Sequence, residues 1–267
     1  MESVLLDLGI VQIRWYGVMM VLGFFSGLAS WTILGRKEGK DFNFCSDLLF
    51  WVVISGIIGG RIAFVIANYH EFLEDPFLII RVDKGGLIYY GGFIGALAAV
   101  YVFALKRGES VLSMFDFAVT SVPLGHFFGR IGCYIHGCCF GILYDGPFAV
   151  TYPAGSNAWF VHISRGTIDK TAEFAPPLLP VQLIEAGINL LIYILLVFTY
   201  RRRKSNGLIA GLYMMSYSTV RFFIEFLRGD PRMGMGGFSF AQMISVVIFL
   251  AGAVIIFAAR RAREKAA

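Results

Sequence analysis

Apolar residues run along this chain in long blocks, with polar residues gathered in the gaps between them. A helix needs about 20 mostly apolar residues to cross a bilayer. Seven stretches meet that length: 11–35, 48–68, 87–105, 113–135, 180–200, 207–227 and 238–259. The pattern predicts an all-α integral membrane protein of about seven transmembrane helices, with residues 1–267 as a single membrane domain. The gap at 136–179 is richer in Pro, Gly, Ser and Thr. It predicts an extramembrane head on the outer face. The gap at 69–86 predicts a surface connection with a short amphipathic helix.

Composition agrees. Hydrophobic residues make up 57% of the 267 and charged residues 15%, well below the quarter typical of soluble domains. Disorder is excluded, because so apolar a chain must bury itself. The N-terminal MESVLLDLGI has no basic run, so no cleaved signal peptide is expected. The formal net charge of +5 matters only through its placement. One set of gaps holds Arg36, Lys37, Lys40, Lys106, Arg107, Arg201, Arg202, Arg203, Lys204, Arg260, Arg261, Arg263 and Lys265, thirteen in all. The other holds six: Arg81, Lys84, Arg165, Lys170, Arg228 and Arg232. Basic loops stay in the cytoplasm. The N-terminus, with Glu2 and Asp7, is therefore expected outside and the C-terminus inside. The positive charge is an orientation signal, and no nucleic-acid partner is expected.

Four arginines remain inside predicted spans: Arg14, Arg61, Arg130 and Arg221. Asp116, Glu185 and Glu225 join them. A charge at a helix centre costs at least about 2.5 kcal/mol and marks a functional site or a paired structural one. In the expected orientation all but Asp116 fall toward the outer leaflet. Arginines at one depth suit an anion, and guanidinium forks match phosphate. Arg221 and Glu225, spaced i,i+4, share a helix face, either as a neutralised pair or with the carboxylate positioning the guanidinium. Gln182 and Glu185 make a second polar face. Residues 125–141, GHFFGRIGCYIHGCCFG, carry five glycines at spacings that permit close backbone approach around Arg130. Cys133, Cys138 and Cys139 do not follow a zinc spacing and no second ligand pair follows, so no metal site is expected and the thiols read as small buried groups.

These blocks resemble the bacterial prolipoprotein diacylglyceryl transferase family. Ile13-Arg14-Trp15-Tyr16-Gly17, Gly59-Gly60-Arg61, Lys84-Gly85-Gly86 through Tyr90-Gly91-Gly92, Gly129-Arg130-Ile131-Gly132, Gly137 with Gly141, Pro180-x-Gln182-Leu183-x-Glu185 and Tyr217-x3-Arg221-x3-Glu225-x2-Arg228 match in order. The family signature usually continues with Asn-Phe-x-Asn-Gly-Glu. Here Cys133, Tyr134, His136, Gly137 and Cys138 stand in those places, and Tyr90 replaces a family His.

The resemblance implies transfer of a diacylglyceryl group from phosphatidylglycerol to the cysteine thiol of a preprolipoprotein signal peptide, without a cofactor, in the bacterial inner membrane. It implies catalytic roles for Arg221, Glu225, Tyr90 and Tyr217, and phospholipid binding by Arg130, Arg61, Tyr16, Gly132 and Gly141. His126 and His136 are alternatives to Tyr90 as the base. Other readings are a divergent homologue acting on another lipid or acceptor, and a transporter or channel. The latter is disfavoured by the gathering of charges near one face.

Overall fold

A computed structural model describes residues 4–7, 12–81, 85–232 and 234–266. Glu2 and Lys84 lie outside the described residues. Ten helices carry the fold among them: α1 (Trp15–Gly35), α2 (Phe42–Ala67), α3 (Tyr69–Glu74), α4 (Tyr89–Arg107), α5 (Val111–Val119), α6 (Val122–His136), α7 (Asn157–Ser164), α8 (Val181–Tyr200), α9 (Leu208–Ile224) and α10 (Phe240–Ala266). Two short antiparallel hairpins accompany them, β1 (Val4–Asp7) with β2 (Gln12–Arg14), and β3 (Gly234–Met235) with β4 (Phe238–Ser239).

Six helical stretches among the described residues are long and apolar enough to cross a membrane: Trp15–Glu38, Phe42–Ala67, Tyr89–Arg107, Val111–His136, Val181–Tyr200 and Phe240–Arg261. Helix α9, in the sixth predicted span, has 17 residues. The first span starts later than predicted. Residues 12–14 pair with β1, so Arg14 precedes the helix and is exposed. The fourth predicted span is two helices. Pro123, in the first turn of α6, has no N–H to continue the ladder from α5, and the chain turns at Thr120 and Ser121. In the connection after α2, α3 is followed by a 3-10 turn at Pro76–Ile80. Asp75 caps that turn by accepting from the Phe77 N–H.

The surface is apolar where a soluble protein's is not. Phe25, Ile66, Leu191, Val254 and Phe257 are each at least 65% exposed, on helices whose lipid-facing sides need no polar cover. Polar side chains are instead buried: Gln182, Glu185 and Asn189 lie on the inner face of α8, and Asp116 within α5.

The chain forms two compact units, residues 1–29 with 119–267, and residues 30–118. In the larger unit α6 packs on α8, α8 on α9, and α9 on α10. Between α6 and α8 the chain builds a small folded cap around Phe140, Tyr152, Ala158, Ala175 and Leu178. Trp159 Nε1 ties it by donating to the Ala172 carbonyl at 2.7 Å. Within the cap, Tyr152 and Trp159 pack into or against this core, whereas Phe148 and Phe160 are exposed. In the smaller unit α2 packs on α4 at backbone distance. A Cβ on Gly59 would strike the Gly91 carbonyl, and one on Gly95 the Ser55 carbonyl. The small-residue faces of these two helices permit the approach.

Candidate active site

The larger unit gathers most of the predicted site residues. Arg130, in the third turn of α6, meets Glu185 of α8, with Nη2 to Oε1 at 2.9 Å. The Glu185 side chain is 1% exposed and that of Arg130 18%. Asn189, one turn on, donates to the Glu185 backbone carbonyl at 2.8 Å. Gln182, fully buried, donates to the Cys138 carbonyl at 2.9 Å and to the Tyr152 hydroxyl at 3.0 Å. The polar face of α8 therefore ties together α6, the turn after it and the cap.

A second group forms where α9 ends. Arg221 Nη1 stands 2.7 Å from Glu225 Oε2, as the i,i+4 spacing predicts. Arg232 donates from Nη1 to both Glu225 oxygens at 3.1 Å. Asp230 accepts a fork from Arg228, at 3.0 Å from Nε and 2.9 Å from Nη2, and a further bond from Arg232 at 3.1 Å. Burial pushes the Asp230 carboxyl up, against the pull of Arg228. Ordered in this way are four guanidiniums and three carboxylates, counting the Arg130–Glu185 pair. One positive charge is left over. The sequence places Arg228 and Arg232 among loop charges, Arg228 also closing the family block that begins at Tyr217, and does not single out Asp230. The Arg-x-Asp-x-Arg alternation at 228–232 was the available signal.

Tyr217 connects the groups. It lies within electrostatic reach of Glu185, Arg130 and Arg221. Its ring stacks on Tyr213, with centroids 5.6 Å apart, and lies 4.9 Å from that of His126. His126 Nδ1 is 3.5 Å from the Tyr213 hydroxyl. Tyr16, in the first turn of α1, packs on α6 at Gly132, where an added Cβ would sit 3.1 Å from its ring and 3.3 Å from Met19. Gly141 lies where the chain after α6 crosses the chain after α9. It pairs with Arg228 as a β-bridge, and Ile142 donates to the Leu227 carbonyl at 3.0 Å. A side chain at 141 would meet the Leu179 carbonyl. Both glycines thus permit the crossings that hold Arg130 and Arg228. Gly125 and Gly129, singled out for the same reason, have open space at their Cβ positions.

Arg61 and Tyr90 belong to the smaller unit. Arg61 is buried and its guanidinium is committed to backbone carbonyls. Nε donates to Ile79 at 2.8 Å, Nη1 to Gly85 at 2.8 Å and Gly86 at 3.0 Å, and Nη2 to Leu78. Its plane lies against Phe64 and Phe72, each centroid 5.4 Å away. It clamps the connection between α2 and α4. Tyr90 is exposed in the first turn of α4, its ring edge-on to Tyr89.

A family model described as prolipoprotein diacylglyceryl transferase matches residues 3–258. The chain is 32% identical over 259 residues to phosphatidylglycerol–prolipoprotein diacylglyceryl transferase 2 of Clostridium perfringens, covering 96% of this chain and 94% of that protein. It is 30% identical over 277 residues to the phosphatidylglycerol–prolipoprotein diacylglyceryl transferase of Pseudoalteromonas translucida, covering 100% and 96%. The protein of the same name from Stenotrophomonas maltophilia is 32% identical over 279 residues, covering 98% and 92%.

Proposed function

Because the chain belongs to the prolipoprotein diacylglyceryl transferase family, we propose that it moves the diacylglyceryl group of phosphatidylglycerol onto the lipobox cysteine of preprolipoproteins. The acceptor thiolate attacks the glyceryl carbon that bears the phosphate ester. A C–S bond forms, the C–O bond breaks, and glycerol 1-phosphate leaves with the electron pair. Two demands follow. The acceptor must lose its proton, since the thiolate is the nucleophile. The departing phosphate must be stabilised as its charge develops.

The observation that carries this reading is the network of four guanidiniums and three carboxylates, with its surplus positive charge. An isolated cluster of arginines would repel itself. Here each guanidinium is held by a carboxylate, and the whole still favours an anion. Arg130, positioned by Glu185, binds the phospholipid head group. Arg221, positioned by Glu225, takes the leaving phosphate. Tyr217 lies within electrostatic reach of both arginines and orients the phosphate by hydrogen bonding, as does Tyr16 beside Gly132. Arg61 acts through the Gly85-Gly86 turn that it holds. Tyr90 and His126 are the candidates for receiving the acceptor proton.

The same reading places seven spans in the inner membrane, the N-terminus outside and the C-terminus in the cytoplasm, with the cap between α6 and α8 as a periplasmic head over the signal peptide. The test is complementation. Cells depleted of their own transferase and carrying this chain should convert a tagged prolipoprotein to its lipid-modified form, seen by gel shift and by label from radioactive phosphatidylglycerol. Arg130→Ala, accumulating in the membrane to the same level, should convert none. Failure of the wild type to label the acceptor sinks the assignment.

A further inference from the structure

The turn that ends α6 does something the linear spacing does not reveal. Gly137 closes the helix in the left-handed region (φ +73°), and the Cys138 N–H returns to the Cys133 carbonyl at 3.2 Å. Cys139 follows with φ +58°, unusual for a residue with a Cβ. This reversal carries two cysteines back over the helix end. The sulfurs of Cys133, Cys138 and Cys139 all lie within 4.8 Å of one another. All three residues are partly buried and carry free thiols.

We propose that Cys133, Cys138 and Cys139 form a binding site for a thiophilic d10 cation, Zn2+ or Cu(I). Metal–thiolate bonds of about 2.3 Å place sulfurs about 4 Å apart around one ion, so the three need only small side-chain adjustments. Three sulfurs with no hard oxygen donor select soft ions over Mg2+ or Ca2+. Binding breaks three S–H bonds and forms three metal–sulfur bonds, and three protons pass to the solvent. The complex then carries one negative charge with Zn2+ or two with Cu(I). Arg130 and Arg228 stand within electrostatic reach of Cys139, in a network with a surplus positive charge. The negative complex is therefore matched by its surroundings, whereas three bare thiolates are not.

One consequence rests on the transferase reading. A negative complex beside Arg130 and Arg228 competes with phosphate for the same guanidiniums, so occupancy should inhibit lipid transfer. Tyr16 stands within electrostatic reach of all three thiols and of Arg130.

The test uses the full chain purified reduced in detergent. Zn2+ and Cu(I) are titrated separately, with Mg2+ as the hard-ion control, and bound metal is measured after gel filtration. The wild type should retain about one equivalent of Zn2+ or Cu(I). The Cys133→Ser, Cys138→Ser, Cys139→Ser triple variant should lose it, and Cys45→Ser should keep it. Wild-type alkylation by N-ethylmaleimide, mapped by peptide mass, gives a readout independent of the variants' folding. Metal should slow modification of the three thiols at least tenfold. No retention by the wild type at micromolar free metal, loss in Cys45→Ser, or unprotected thiols overturns the site. Retention with unchanged lipid transfer overturns only the inhibition. An inactive chain that still binds metal faults the transferase reading and not the site.

Discussion

Arg130 and Glu185 show how a buried charge is made tolerable without being made inert. Glu185 has almost no exposed surface, so losing its partner leaves a charge that neither water nor lipid relieves. In the proposed role the guanidinium is needed for more than neutrality: its fork would bind phosphate while the carboxylate holds it, whereas a lysine ammonium is a single point. Arg130→Lys should therefore preserve folding better than Arg130→Ala yet lower turnover roughly a hundredfold, the range expected when one preorganised donor to a developing anion is lost. Detergent melting and a radiolabel turnover assay separate the two effects. If Arg130→Lys matches the wild type in rate, the fork geometry has no role. His162 supports a different prediction. It is buried in the cap beside Phe140, both its ring nitrogens lack a partner, and burial pushes its imidazole below the usual range. The unfolded chain then binds the proton more readily than the folded one. Its contribution to stability is present above about pH 6.5 and is lost as pH falls through the depressed folded value. Melting should drop between pH 7.5 and 5, and His162→Phe should flatten that part of the profile. An equal drop in both proteins would remove His162 as the cause.

Element-level packing depends on where small residues meet backbone. Helices α2 and α4 approach so closely that a Cβ at Gly95 would strike the Ser55 carbonyl, which cannot move without breaking the α2 ladder. Gly95→Ala should cost about 1–3 kcal/mol, read as a lower melting temperature of the intact protein. Gly129→Ala, with open space at its Cβ, should be near neutral. A reversal of that order would mean that lipid, not the partner helix, fills the α2–α4 seam. The glycine run at 125–141 announced close packing in the sequence, but which glycines carry it did not follow from spacing. Gly132 and Gly141 meet neighbours because α1 and the chain after α9 cross there, and such crossings are tertiary facts. The same limit hid the commitment of Arg61. Its position in an apolar run signalled cost, but the carbonyls that offset it come from 17 to 25 residues away. By contrast Arg221 with Glu225 was legible, because a helix brings i and i+4 together before any tertiary structure forms. The three thiols were legible as a composition and not as a cluster, since the left-handed turn at Gly137 unites them.

For the whole molecule, the number of crossings decides which side each terminus occupies, and α9 decides the number. Its 17 residues span about 25 Å at 1.5 Å per residue, short of a hydrocarbon core of about 30 Å. The 3-10 turn Glu225–Leu227 continues it without a break. At about 2 Å per residue it adds roughly 6 Å, long enough for the proposed crossing to end near Leu227, with Glu225 just inside that end and Arg232 reaching back to it from the following segment. Seven crossings put the termini on opposite sides, whereas six put them together. The basic residues argue for the same parity, because the thirteen on one set of loops include Arg260 and Arg261 at the end of α10. Fusions carrying green fluorescent protein should glow after Arg107 and at the C-terminus. Alkaline phosphatase should be active when inserted at Gly166 in the cap and at the N-terminus. Neutralising Arg201, Arg202, Arg203 and Lys204 leaves nine basic residues against six, the same sign, so these reporters should not change sides. A phosphatase active at the C-terminus together with one active at Gly166 would mean that α9 and its turn do not cross, and the ion-pair network at its end would then need a different depth.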